Sequence, residues 1–140
     1  MYHDLLQIRV FFVKPLECLE PLGIENGTIT DGQLSSSSQL DNAHAAMQGR
    51  LKYNATGGSR GSWSAGVNNS SQWLQIDLLD QNNNVTRVAT QGRPDTSQWV
   101  TKYKLEYSED GETFHFYRGE GDTAEKVAFV LVRLFVCFFF

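Results

Sequence analysis

The clearest structural signal in this chain lies in residues Val100-Thr101-Lys102-Tyr103-Lys104-Leu105-Glu106-Tyr107. From Lys102 onward, charged and apolar side chains alternate one by one, which is the period of a β-strand with one buried and one solvated face. The polar segment 108–111 follows, and its Asp110-Gly111 pair favours a tight turn because glycine adopts a positive φ at no steric cost. We therefore predict a hairpin in which residues 113–117 form the returning strand.

The remainder of the chain contains similar short, strand-like segments. Residues 73–78 and 85–90 are rich in strand formers, and the polar turn 80–84 separates them. Long polar connections occupy residues 35–54 and 92–98, and no apolar stretch keeps a helical period for more than about two turns. The sequence predicts an all-β domain, either a sandwich or a barrel.

Size and charge restrict the possible functions. The 140 residues suffice for one domain, and 12 basic against 16 acidic side chains give a net charge of −4 with no basic cluster. Such a chain repels a polyphosphate, so we expect no nucleic-acid partner. The chain also lacks the excess of positive charge that would attach it to an anionic membrane. Insertion of apolar loop tips is the remaining way in which it could bind a membrane.

The sequence contains no pattern typical of catalysis, of a metal site or of a cofactor site. Residues 57–61 match the G-x-S-x-G string, but the strand and helix that flank a nucleophile elbow are missing, so we interpret them as a flexible glycine loop. His3, His44 and His115 lack the spacing of a zinc site. The Asp41-Asn42 pair offers too few oxygens for calcium, and loop capping by Ser38 and Asp41 is the favoured role. We predict a protein without enzymatic activity and without a cofactor.

Cysteines and glycosylation acceptors indicate an extracellular environment. Cys18 and Cys137 lie near the two ends, where one disulfide would close a long loop, although two cysteines alone do not establish secretion. Residues 1–15 make a poor signal peptide, because Asp4 precedes the apolar run and no cleavage site follows it. The Asn-x-Ser/Thr string occurs more often than chance predicts, at Asn26, Asn54, Asn68, Asn69 and Asn84. We expect a secreted or cell-surface glycoprotein.

Four motifs follow one another along the chain. They are CLEPLGIENG at 18–27, QWLQIDL at 72–78, VATQGR at 88–93, and WVTKYK at 99–104 leading to YSEDG at 107–111. Together they resemble the discoidin family, the coagulation factor 5/8 type C domain. The resemblance implies a distorted jelly-roll β-barrel or sandwich of the galactose-binding-like type, whose two ends are joined by a disulfide. It also implies a non-catalytic extracellular module, lectin-like in some members, that serves in cell adhesion and binds anionic phospholipid, glycans, collagen or other matrix proteins through loops at one end of the barrel.

The resemblance divides the chain into three parts. Residues 1–17 are an N-terminal extension, residues 18–129 are the discoidin-like domain, and residues 130–140 are an apolar tail that the family does not share. The family continues beyond residue 127 to its last strands and its closing cysteine, so we expect a barrel that lacks those strands. Cys18 matches the family's first bridging cysteine, whereas Cys137 does not lie in the closing motif, and a bridge between them is one option. A mis-spliced transcript is one hypothesis for the tail.

Two loops are the candidate ligand site. By position they match two projecting loops of the family, the first with Leu40, Asp41, Asn42 and His44 and the second with Arg93, Asp95, Gln98 and Trp99. Their polar side chains suit directed hydrogen bonds to a glycan or a protein, and Trp99 offers a flat apolar face to a sugar ring. Trp99 could instead anchor its loop at the start of a strand, while Trp63 and Trp73 are expected in the core.

The sequence leaves three hypotheses about function open. The favoured one is an adhesion or lectin-like module that binds carbohydrate or protein ligands on cells or in the matrix. The alternative is a peripheral module for anionic phospholipid, which is weakened because only Leu40 and Met47 supply apolar tips in the first loop, enough for only a few kcal/mol. The third is a non-functional fragment of a larger receptor or matrix protein.

Overall fold

The computed structural model describes residues 5–9, 21–54, 56–79, 85, 87–94, 96–119, 123–124 and 127–129, with the backbone alone for 5–9 and 127–129. Cys18, Cys137 and the apolar tail at 130–140 lie outside the described residues. The predictions of a disulfide and of the tail's character therefore stay predictions.

The described strands form one six-stranded sheet. They are β1 (Leu5–Arg9), β2 (Leu34–Ser36), β3 (Trp73–Ile76), β4 (Lys102–Tyr107), β5 (His115–Phe116) and β6 (Val127–Phe129). The order across the sheet is β2-β3-β1-β4-β5, and β6 also pairs with β4. The helical segments in the described part of the chain are three short 3₁₀ turns at Asp31–Gln33, Asn42–His44 and Ala46–Gly49. The predicted all-β class is confirmed.

The predicted hairpin is present as β4 and β5, with a returning strand that is confined to His115–Phe116 and does not extend over the predicted residues 113–117. Glu106 pairs with Phe116 and Tyr107 with His115 in an antiparallel register, and Gly111 in the turn has a φ of 74°. One carboxylate oxygen of Asp110 accepts the backbone N–H groups of Glu112 at 2.8 Å and Thr113 at 2.7 Å. These N–H donors, followed by the Ser108 hydroxyl, lower the pKa of Asp110 well below its usual range because they stabilise the ionised form.

Strand formation differs from prediction on either side of β3. Residues 85 and 87–90 form no strand, yet Val85 and Ala89 are buried. Their apolar side chains are buried although these residues are not part of a strand. Strand propensity reflects how well a side chain fits a half-buried surface, so it does not distinguish a paired strand from a buried irregular segment. Conversely, the serine-rich residues of β2 pair with β3, with Leu34 opposite Ile76, although the sequence favours a polar connection there.

The N-terminal strand β1 lies in the middle of the sheet. It runs parallel to β3 and to β4, so that Ile8 is opposite Leu74 on one side and Leu105 on the other. The sequence predicts an N-terminal extension outside the domain for these residues, because no family motif covers them. Apolar and polar residues alternate from Leu6 to Arg9, which suits a strand. Pairing with β1 satisfies backbone groups of both neighbours that would otherwise form open edges.

The core lies against this sheet. Its buried cluster contains Ile24, Ile29, Leu34, Ala46, Ile76, Leu78, Val85 and Tyr103. Burial raises the pKa of the Tyr103 hydroxyl because the apolar surroundings disfavour the phenolate. Trp63 is half-buried and packs against the cluster, whereas Trp73 is half-buried and is not part of it.

A buried arginine fastens the segment before β2 to the core. The Arg50 Nη1 group donates to the carbonyl oxygens of Ile24 at 2.6 Å and Ile29 at 2.8 Å. Its Nη2 group contacts the Asp31 carboxylate at 2.6 Å. Since Arg50 is only 7% exposed, it satisfies two interior carbonyls that have little access to water.

Candidate ligand-binding site

Several loops enclose a cavity of about 350 Å³ beside Trp63. We call it the loop cavity, and its lining consists of Leu40, residues 62–68, Gln72, Gln91, Arg93 and residues 98–100. It therefore combines the two predicted loops with a segment between them, residues 62–68, for which the sequence predicts no ligand contact.

Four of the predicted site residues line the loop cavity: Leu40, Arg93, Gln98 and Trp99. The second loop is closed by a backbone bond from the Arg93 N–H to the Gln98 carbonyl at 2.9 Å and by a bond from Arg93 Nη1 to Gln98 Oε1 at 3.2 Å. Asp95 lies outside the described residues. The closed loop holds the Arg93 guanidinium at the cavity wall.

The other three predicted residues are not part of the lining. His44 is buried, and its Nδ1 lies 2.6 Å from the Asp41 carboxylate. This hydrogen bond lowers the pKa of Asp41, because it stabilises the carboxylate. The Asn42 side chain accepts a bond from Gln39 Nε2 at 3.2 Å. Asp41, Asn42 and His44 make side-chain hydrogen bonds within the first loop, but the Asp41 side chain makes no capping bond to the 3₁₀ turn Asn42–His44 that follows it, in contrast to the predicted capping role. Of the four residues predicted in this loop, only Leu40 lines the cavity.

Gln72 connects the walls of the cavity and was missed from sequence. It is 9% exposed, and its Nε2 donates to Asn69 Oδ1 at 2.9 Å while its Oε1 accepts from the Ser37 and Ser38 hydroxyls. Ser38 Oγ in turn accepts the Gly66 N–H at 3.0 Å. A glutamine at a strand start carries no signal of such a role, since its serine partners lie 35 and 34 residues away in the sequence.

Gly66 brings the middle segment against the first loop. A Cβ at this position would lie 2.7 Å from the Gln39 carbonyl oxygen, which is closer than a real methyl group approaches. The Leu40 N–H also donates to the Ser64 carbonyl at 2.9 Å. Leu40 and Val67 therefore lie on segments in direct backbone contact.

The loop cavity is lined by three exposed, large apolar side chains and by one cationic side chain. Leu40, Val67 and Trp99 are 58%, 53% and 37% exposed, and all three line the cavity. Exposed Met47, which the sequence favoured as a second apolar tip, is not in the lining. Among the described lining residues, Arg93 is the one charged side chain. The site therefore offers apolar contact together with a single positive charge.

The glycine loop at 57–61 has a structural role. Gly57, Gly58 and Gly61 have φ values of 59°, 93° and 68°. The Ser59 hydroxyl donates to Gln48 Oε1 at 2.8 Å, and Gln48 Nε2 donates to the Asn42 carbonyl at 2.9 Å. This chain of bonds ties the glycine loop to the first predicted loop.

Asn26, Asn54, Asn68 and Asn69 are exposed, as a glycan acceptor must be, and Asn84 lies outside the described residues. The Asn26 side chain accepts bonds from its own acceptor motif, the Thr28 N–H at 3.0 Å and the Thr28 hydroxyl at 2.8 Å. Of these four, Asn68 is the one that lines the loop cavity. Glycosylation itself stays a prediction.

Comparison with known proteins gives consistent matches. The F5/8 type C domain model matches residues 33–131. The human EGF-like repeat and discoidin I-like domain-containing protein 3 is 36% identical over 130 residues, which cover 89% of this chain and 27% of that protein. Lactadherin of Sus scrofa is 35% identical over 122 residues, covering 79% and 28%, and coagulation factor V of Mus musculus is 33% identical over 122 residues, covering 79% and 5%. The chain thus spans about a quarter of the length of the first of these relatives.

Proposed function

This chain belongs to the F5/8 type C, or discoidin, domain family, and from that premise we propose that it is a non-catalytic extracellular module that attaches to membranes containing anionic phospholipid. The loop cavity is the proposed binding site. The observation that carries the proposal is the grouping of Leu40, Val67 and Trp99, three exposed apolar side chains, around one cavity with Arg93.

The energetic argument starts from the apolar side chains. Burying a whole aliphatic or aromatic side chain contributes about 1.5 to 3 kcal/mol. Leu40 and Val67 are 58% and 53% exposed, so roughly half of that, about 1 to 1.5 kcal/mol each, is still to be gained on contact with lipid. Three such side chains support reversible attachment, as expected of one module in a larger, multivalent protein.

The positive charge of Arg93 is proposed to make the site selective for anionic lipid. The chain as a whole carries −4 and is repelled by an anionic surface. Arg93 is the one charged side chain among the described residues of the lining, so a phosphate or carboxylate group meets a local cation there. A planar guanidinium is well suited to such groups. We therefore expect a preference for vesicles with phosphatidylserine over vesicles of phosphatidylcholine alone.

Co-sedimentation with vesicles of these two compositions tests the proposal. Leu40→Asp is expected to weaken binding by about 5- to 30-fold, because it removes apolar contact and adds a charge that lipid would desolvate. Leu79→Asp is the matched control, since Leu79 is also 58% exposed but does not line the cavity. Equal binding to both vesicle types, or equal loss in both variants, would contradict the proposal.

The second candidate function is binding of a carbohydrate. It is favoured by the exposed ring of Trp99, which lies in the same lining as the side-chain amides of Gln91 and Gln98. Stacking on a sugar ring combined with amide hydrogen bonds is a chemistry that such a surface supports. Saturable retention on glycans that disappears in a chain with Arg93→Ala and Trp99→Ala, with no vesicle binding by the unchanged chain, would favour this candidate.

A further inference from the structure

We propose that Asn68 carries an N-linked glycan and that this glycan blocks the loop cavity, so that the glycosylated chain no longer attaches to phospholipid membranes. This inference rests on the proposed function and concerns its regulation. It would make membrane attachment depend on whether one acceptor is occupied.

Asn68 lies where an attached glycan would fill the loop cavity. Asn68 is exposed, belongs to the acceptor motif Asn68-Asn69-Ser70, and lines the loop cavity. An N-linked glycan is bulky and hydrated. Attached to a lining residue, it occupies the space in which a ligand would be seated.

Val67, the residue before Asn68, is itself part of the proposed membrane contact. Val67 is 53% exposed and is one of the three apolar side chains proposed to enter the lipid. Consecutive Cα atoms are about 3.8 Å apart, and Val67 and Asn68 both line the loop cavity. A hydrated glycan on Asn68 would therefore lie where Val67 is proposed to meet the lipid. Burying the sugar hydroxyls without partners would be unfavourable. Glycosylation and membrane contact therefore exclude each other at this place.

The overlapping acceptor Asn69 differs in its contacts. Its Oδ1 accepts the Ser71 N–H and Gln72 Nε2, both at 2.9 Å, and Asn69 is not part of the lining. A glycan on Asn69 would begin outside the cavity. Modification at Asn68 and at Asn69 should thus have different consequences although the residues are adjacent.

The test uses two serine substitutions that separate the acceptors. Ser70→Ala removes the Asn68 motif and leaves Asn69-Ala-Ser71 intact, whereas Ser71→Ala removes only the Asn69 motif. Both serines are exposed, so the variants are matched. The full chain and both variants are secreted from a glycosylating cell behind a removable leader, and the chain without glycans is produced in bacteria. Glycopeptide mass spectrometry measures occupancy, and phosphatidylserine vesicle sedimentation measures binding.

We expect Asn68 to be occupied in the full chain and in Ser71→Ala, and we expect both to bind vesicles at least about tenfold more weakly than Ser70→Ala and the bacterial chain. An unoccupied Asn68, or an occupied Asn68 in a chain that binds as tightly as Ser70→Ala, overturns the inference while the proposed function stands. If the bacterial chain does not bind phosphatidylserine vesicles, the proposed function fails, and the inference fails with it.

Discussion

Replacement of Arg50 by methionine should destabilise the domain far more than removal of the charge on its acidic partner. Arg50 donates to the Ile24 and Ile29 carbonyls and contacts Asp31. Methionine matches the aliphatic stem of arginine and fills the apolar part of the space, but it provides no donor. Arg50→Met therefore leaves two carbonyl oxygens of buried residues without a partner.

The magnitude follows from those two oxygens. An unsatisfied buried polar group costs about 1 to 3 kcal/mol, so the free energy of unfolding should fall by about 2 to 6 kcal/mol in Arg50→Met. The Asp31 side chain, by contrast, is 65% exposed. An ion pair with so exposed a partner contributes about 0 to 1 kcal/mol, and Asp31→Asn should cost no more than that.

Urea unfolding followed by tryptophan fluorescence measures both values, and an unchanged dependence on urea concentration shows that the change is one of stability. The difference in stability loss between the two variants shows whether Arg50 acts through the carbonyls or through Asp31. Equal losses in Arg50→Met and Asp31→Asn, or a loss below about 1 kcal/mol in Arg50→Met, would refute the idea that the arginine acts through the interior carbonyls.

Two further predictions concern the turn and the cavity wall. Since the pKa of Asp110 is lowered in the folded chain, its contribution to stability is fully present above the usual value of 3.8 and is lost as the pH falls through the lower folded value. The difference in melting temperature between the unchanged chain and Asp110→Ala should therefore shrink as the pH is lowered below 3.8, and a difference that stays constant would argue against the charged form as the cause. Gly66→Ala, whose methyl group would collide with the Gln39 carbonyl, should cost about 1 to 3 kcal/mol and weaken vesicle binding. Gly32→Ala, whose methyl group meets nothing within 4 Å, should be neutral, and similar losses in the two glycine variants would contradict the collision argument.

The hairpin is the part of the fold that the sequence predicts best. Its information is local: alternation in β4 and an Asp-Gly turn lie within one short stretch. The strand pairing of β2 is not predictable in this way, because polar Ser35 and Ser36 are held by a ladder with β3. The same limit explains β1, whose partners are residues 73–75 and 102–106. Pairing across such distances depends on the whole chain.

The candidate site was predictable in part for the same reason. Two loops were selected from sequence, and Leu40 and Arg93 do line one cavity. Val67 was missed because an isolated valine in a polar loop has no periodic signal. His44 looks like a ligand-binding residue in sequence, yet the structure buries it against Asp41. Local chemistry identifies polar groups but does not show which of them the fold turns inward.

The central position of β1 has a consequence for how the chain folds during synthesis. Leu5 pairs with Lys102, so the first strand made must wait for residues far along the chain. At a typical synthesis rate this delay is about 5 to 20 s, far longer than the microseconds in which a hairpin forms. The β4–β5 hairpin is local, but the sheet is completed only through contacts of high sequence separation, which slow folding. During this time Leu5–Arg9 has no partner strand, so its backbone groups and its three apolar residues stay exposed to water and to other chains.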